Sequence, residues 1–178
     1  MRARISFASR PRDKQPRQSE KRSGVPSFKS VRRVPYSARQ MFDVVADVER
    51  YPDFVPLCES LVITSSSESQ GQVCRVATMG IGYKSIRERF TTRVVLQPDV
   101  PAVEVSHVDG PFRRLENLWR FVPASATSCD VHFFIDYEFR SKALALVMGA
   151  LFDSAFRKFS AAFEDRARAV YGPILLQK

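Results

Sequence analysis

Two histidines, three cysteines and 19 carboxylates are the groups of this chain of 178 residues best suited to acid–base, thiol or metal chemistry. Their spacing supports little of it. His107 and Asp109 stand two apart in a strand-like run, an arrangement that suits a solvated pair better than an acid–base dyad. His132 falls among alternating charges in "CDVHFFIDYEFR", on what reads as a wet face. Cys58, Cys74 and Cys129 are an odd number with no CxxC spacing, so neither a zinc set nor a disulfide framework is expected, and a reducing compartment fits. P-loop, GxGxxG and HExxH patterns are absent from the sequence. The expectation is a protein with no catalytic residues, no metal site and no catalytic cofactor.

Two polar positions stand out because strand alternation puts them among apolar neighbours. Glu88 shares a face with Ile86 and Phe90, where an unpartnered charge is costly. It is either a strand-end residue reaching solvent or an arginine, or a polar anchor facing a ligand inside a cavity. Asn117, beside Trp119, carries the same two readings. A third feature is apolar: "ERYPDFVPLC", Glu49 to Cys58, holds Tyr51, Phe54, Val55 and Leu57 around two prolines. It is a packed corner of the core or an apolar lip.

The elements that must position these residues follow from periodicity. "FKSVRRV", 28–34, reads as a first strand ended by Pro35, and Ser37 with Gln40 has capping-box spacing. The helix "ARQMFDVVADV" follows, with Met41, Phe42, Val44, Val45 and Val48 at helical spacing. Pro52 and Pro56 leave room only for a short helical turn. From Leu61 to Arg140 the period is two. Ile86, Phe90, Val94 and Leu96 oppose Arg87, Arg89 and Arg93, while Leu115, Asn117, Trp119 and Phe121 oppose Arg114, Glu116 and Arg120. Cys129, Val131, Phe133, Ile135, Tyr137 and Phe139 oppose Asp130, His132, Asp136 and Glu138. Turn signals at Glu68–Gly71, Gly80–Gly82, Pro98–Pro101, Gly110–Pro111 and Ala124–Ser128 divide about six strands.

The last element, 141–171, reads as a long helix stopped by Gly172–Pro173, with Phe152, Phe156, Phe159 and Phe163 in one aromatic stripe. Its run "ALALVMGALF", 143–152, is apolar all round. Burial under the sheet is the first reading, and an opening that meets lipid or a partner is the second. At ten residues the run is too short to span a bilayer. The whole is α+β, with an antiparallel sheet that must curl around the terminal helix.

Charge divides the chain. Residues 1–33 hold eleven of the 28 Lys+Arg and two of the 19 Asp+Glu, so they carry the entire net charge of +9 and the remainder is neutral. A body that grips nucleic acid is therefore not indicated, and no DNA partner is expected. Residues 1–24 are too poor in large apolar groups to repay ordering, so a disordered basic arm is expected. A mitochondrial targeting segment and a true start near Val25 are the alternatives; residues 25–172 form the domain and 173–178 a short tail. A secretory signal is not indicated.

The segments "RVPYSARQMFDVVADVERYPDFVPLC", "DGPFRRLENLWRF" and "VHFFIDYEF" together resemble the coenzyme Q-binding START-domain family. That family lies in the polyketide cyclase-like superfamily, which also contains the bacterial ribosome-association toxin. The resemblance runs from about Pro26 to Tyr171 and leaves out the basic arm. It implies a helix-grip fold: a curved antiparallel sheet around a long C-terminal helix, with an apolar cavity between them. It further implies a ubiquinone or other isoprenoid-lipid ligand, and a chaperone or carrier role supporting respiration and quinone biosynthesis without catalysis.

In that setting Phe90, Trp119, Phe133, Met148, Phe152 and Phe156 are expected in the cavity wall. Glu88, Asn117 and Tyr137 are the candidate head-group contacts, and Tyr51, Phe54, Val55 and Leu57 form a lip at the mouth. Expected partners are the quinone, the membrane surface and quinone-biosynthesis enzymes. The expected location is bacterial, cytoplasmic and peripheral to the inner membrane, or the matrix side of a mitochondrion. The toxin branch implies an alternative, binding of the large ribosomal subunit to block subunit joining. A polyketide cyclase or aromatase is the remaining alternative, disfavoured by the missing acid–base pair.

Overall fold

A seven-stranded, wholly antiparallel sheet organises the chain, in the computed structural model that describes residues 27–173 without the side chains of 149–154, 156 and 157. The arm 1–24, the last residues 174–178 and the side chains of Phe152 and Phe156 therefore lie outside the described residues. The strands run in the order β1-β7-β6-β5-β4-β3-β2. β1 (Ser27–Val34) starts one edge, and the helical segment α1 (Ala38–Ala46), a 3-10 turn (Val48–Arg50) and α2 (Tyr51–Phe54) leads to the other edge. From there β2 (Cys58–Ser69), β3 (Gln72–Tyr83), β4 (Ile86–Gln97), β5 (Ala102–Asp109), β6 (Phe112–Ser125) and β7 (Ser128–Phe139) meander back until β7 pairs with β1. The sheet curves around α3 (Lys142–Tyr171), the helix-grip arrangement.

Local chemistry sets the element ends. Ser37 Oγ accepts from the Gln40 N–H at 3.2 Å while Gln40 Oε1 accepts from the Ser37 N–H at 2.9 Å, a complete capping box. The far end of α1 receives a cation: Arg75, on β3, donates to the Ala46 carbonyl at 3.2 Å, where the helix dipole is negative. Gly172, at φ +84, ends α3, and its N–H returns to the Arg168 carbonyl at 2.9 Å.

The period-two reading of β4, β6 and β7 matches the burial seen, most cleanly in β7, where buried and half-buried residues alternate throughout. One boundary needs correction. The turn expected at Gly80–Gly82 lies three residues later, and both glycines sit inside β3. They are there for a packing reason: the Ser60 hydroxyl lies where a Cβ on residue 80 would stand, and the Glu59 carboxylate where one on residue 82 would stand. Glu59 is held across β3 by Arg87 at 2.9 Å.

The core lies between the concave face of the sheet and the two longer helices. α1 contributes Met41, Phe42, Val44 and Val45, and α3 contributes Met148, Ala155, Phe163 and Ala167. The run 143–147 is corrected in the opposite sense. Leu144 is half-buried, but Leu146 is 84% and Val147 55% exposed, so burial does not account for this apolar stretch.

Candidate functional site

The concave face does not close completely on the helices. A cavity of about 130 Å³ remains, walled on the sheet side by Phe90, Val94, Trp119 and Phe133 and on the helix side by Phe159 and Phe163. No Asp, Glu, Lys or Arg lines it among the described residues. Alternation along the strands turns the residues of one parity inward, and the arginine rows stay on the convex side.

Of the residues the sequence nominates for the wall, Phe90, Trp119 and Phe133 line the cavity. Met148 does not: it is 2% exposed and packs in the core away from the space. The Trp119 ring packs on Phe133 at 4.5 Å and on Phe163 at 4.9 Å, bridging sheet and helix. Its position is fixed through Asn117. The indole N–H donates to Asn117 Oδ1 at 2.9 Å, and Asn117 Nδ2 donates to the Phe134 carbonyl at 2.8 Å. Asn117 thus lines the cavity while its amide orients the tryptophan.

The other two nominated polar groups lie off the wall. Glu88 is half-buried two residues from the β3–β4 turn, and the wall from β4 begins only at Phe90. Tyr137 is 1% exposed among Phe112 and Phe139, and Phe112 is the residue that reaches the cavity there. The expected solvated pair of His107 and Asp109 is also corrected. Asp109 is exposed, but both ring nitrogens of His107 are buried without a hydrogen-bond partner, because the ring packs inward beside Phe112.

The corner 51–57 proves to be both packed and part of the wall. Tyr51, Val55 and Leu57 line the cavity, but Phe54 does not. The Tyr51 hydroxyl donates to the Val45 carbonyl at 2.6 Å, and burial pushes its pKa well above the ordinary phenol range. The rings of Tyr51 and Phe54 meet Phe163 edge-on at 5.3 and 5.2 Å. Val55 is only 8% exposed. Leu57 adopts φ +69, a costly region for a branched side chain, and is held there by the Gly82 N–H, which donates to its carbonyl at 3.0 Å. Cys58, next in the chain, is buried, and that burial pushes its thiol up to about 11.

Sequence reasoning missed Thr92, Met79 and Ile81 as wall residues. The two on β3 were hidden by reading Gly80–Gly82 as a turn; Thr92 shares the inward parity of Phe90 and Val94 and was passed over because it is polar. Chemically the arrangement can hold an apolar group and exclude water.

Residues 34–164 match the family described as polyketide cyclase / dehydrase and lipid transport. The chain is 37% identical over 139 residues to the ribosome association toxin RatA of Vibrio cholerae, spanning 78% of this chain and 93% of that one. It is 31% identical over 141 residues to the mitochondrial coenzyme Q-binding protein COQ10 homolog B of Xenopus laevis, spanning 77% of this chain and 56% of that one. The solved structure of the Zhui aromatase/cyclase from a Streptomyces species superposes with a TM-score of 0.70 at 18% identity, covering 83% of this chain and 96% of that one, a likeness of fold.

Proposed function

The chain belongs to the polyketide cyclase / dehydrase and lipid transport family, and on that premise we propose that it binds ubiquinone or a related isoprenoid lipid in its cavity. It acts as a carrier or chaperone of that lipid for membrane enzymes of respiration and quinone synthesis, and performs no chemistry on it. The observation that carries this reading is the cavity wall, aromatic and aliphatic with no charged side chain among the described residues.

Size and energetics refine the reading. A cavity of roughly 150 Å³ accepts a benzene-sized guest, so the space of about 130 Å³ takes one edge of a substituted quinone ring and leaves the rest of the ring and a prenyl tail to extend out of it. Tail burial gains about 0.8 kcal/mol per methylene relative to water, but a bilayer offers the same gain. The ring must therefore supply the selectivity, and the protein must meet the lipid surface to load. The first turns of α3 serve for that contact, with Leu146 and Val147 exposed and Lys142 beside them for anionic headgroups. No described helix is long and apolar enough to cross a membrane, which suits a peripheral encounter.

Organic extraction of the purified protein followed by mass spectrometry is the test. Recovery of an isoprenoid quinone is the expected result; repeatedly empty protein that takes up no quinone on titration would sink the reading.

The 37% identity to a ribosome association toxin favours a second reading, binding to the large ribosomal subunit. Against it stands the neutrality of the chain beyond residue 33, with seventeen basic and seventeen acidic residues, a poor charge balance for gripping RNA. Cosedimentation with ribosomal subunits at low salt separates the two.

A further inference from the structure

The cavity wall carries few polar groups, and all but one of those described are already engaged. Tyr51 donates to the Val45 carbonyl, Trp119 donates to Asn117, and Asn117 donates to the Phe134 carbonyl. The exception is Thr92, which is 6% exposed and whose hydroxyl has no hydrogen-bond partner among the described residues. Directly opposite it on β5, in register, stands His107. Residues paired across adjacent antiparallel strands put their side chains side by side on one face. Phe112, whose ring stands 6.4 Å from that of His107, also lines the cavity.

Both nitrogens of His107 are buried and unpartnered. A neutral imidazole has one donor and one acceptor, and leaving both unmet inside a protein costs stability that an apolar residue of similar shape would not. Thr92 in an otherwise apolar wall, and His107 paired to it on β5 but not itself a lining residue, together present polar atoms for which the described residues provide no partner. A charged ligand group does not fit, because the wall offers no counter-charge. A neutral oxygen does: a carbonyl accepts from the threonine hydroxyl or the imidazole N–H, and a hydroxyl can also donate to the free ring nitrogen.

We propose that Thr92 in the cavity wall, with His107 paired to it on β5, forms a polar subsite that takes a neutral carbonyl or hydroxyl oxygen of an otherwise apolar ring. Thr92 is the group such a ligand meets first, and His107 is reached through it or through a single bridging water. The inference rests on the lipid-binding reading and adds the feature that selects an oxygenated ring from the mass of hydrocarbon in a membrane.

The test compares duroquinone with durene, the same methylated ring without the two oxygens. The full-length protein should bind duroquinone about tenfold more tightly than durene. Thr92→Val, which keeps the shape, and His107→Phe should each erase most of that preference. His107→Phe should also raise the melting temperature of the ligand-free protein, since it removes the unmet nitrogens. With nitrogen-15 labelling, the His107 ring signals should move on adding duroquinone and hold still on adding durene. His132, on the convex face, is the internal control.

Equal affinity for the two probes, or a preference that survives both substitutions, overturns the subsite and leaves the lipid-binding reading standing. Failure to bind either probe overturns both.

Discussion

The corner 51–57 and the first turns of α3 begin as equals: each is a short apolar run beside a helix, and each could be core or lip. They end in opposite surroundings. Val55 is 8% exposed, and Leu146 is 84% exposed. In the corner, Tyr51 is tied to the end of α1 by its hydroxyl, and Tyr51 and Phe54 both stack edge-on against Phe163 of α3. On α3 the inward stripe passes through half-buried Leu144 and buried Met148, one turn apart, and Leu146 and Val147 fall on the other side of the helix. Apolar composition is common to both runs. What separates them is whether a neighbouring element offers a surface, and a helix that begins beyond the last strand pairs has one only on its inner side.

A single charge placed in each run should split them most widely. Val55→Asp puts a carboxylate into the core without a partner and should cost about 3 kcal/mol or more. Leu146→Asp should change folding stability by no more than about 0.5 kcal/mol. Urea unfolding of the two variants against the parent measures both. Equal losses would erase the distinction between the regions. The second variant has its own readout: cosedimentation with vesicles containing anionic lipid should drop for Leu146→Asp, while duroquinone affinity in solution stays that of the parent.

The two runs also mark how far residue types alone reach. Strand alternation in β4, β6 and β7, the capping box at Ser37 and the stop at Gly172 are local signals, and each element they define is present. Gly80 and Gly82 misled because their reason is not local: the side chains of Ser60 and Glu59, from the neighbouring strand, occupy the space above them. Glu88 and Tyr137 have the parity of cavity residues but not the depth, since parity says which face a side chain takes and not how far along the strand the cavity extends. His107 beside Asp109 looked like a surface pair, and only the packing of Phe112 shows that its ring is enclosed.

A smaller effect probes what fastens the corner. Tyr51→Phe keeps the ring on Phe163 and deletes only the hydroxyl bond to Val45, so it should cost about 1 kcal/mol. Loss of several kcal/mol would mean that the hydroxyl, rather than ring packing, holds the corner down. No measurable loss would assign the fastening to the aromatic contacts with Phe163 alone.

The finest discrimination comes from Cys58, at the end of the corner, whose thiol is pushed up to about 11 by burial, against an ordinary value of 9.0. The unfolded chain loses this proton from about pH 9 upward, whereas the folded chain keeps it until about pH 11. Between those values the unfolded state binds fewer protons, so the contribution of Cys58 to stability is complete below pH 9 and is lost as pH rises toward 11. Cys129 is raised to about 11 as well, so the decline in the parent has two sources. Replacing Cys58 by Ala should make the urea midpoint fall less steeply over that window and leave the slope below it unchanged. The same burial slows chemistry at pH 8, because the thiolate is the reactive form: iodoacetamide should modify folded Cys58 on the order of a hundredfold more slowly than a thiol of ordinary pKa. Half-buried Cys74, on β3, is more open to the reagent than buried Cys58 and should react first. A Cys58 that reacts as fast in the folded protein as in urea would mean that the corner opens to water, and the contrast with α3 would then be one of degree.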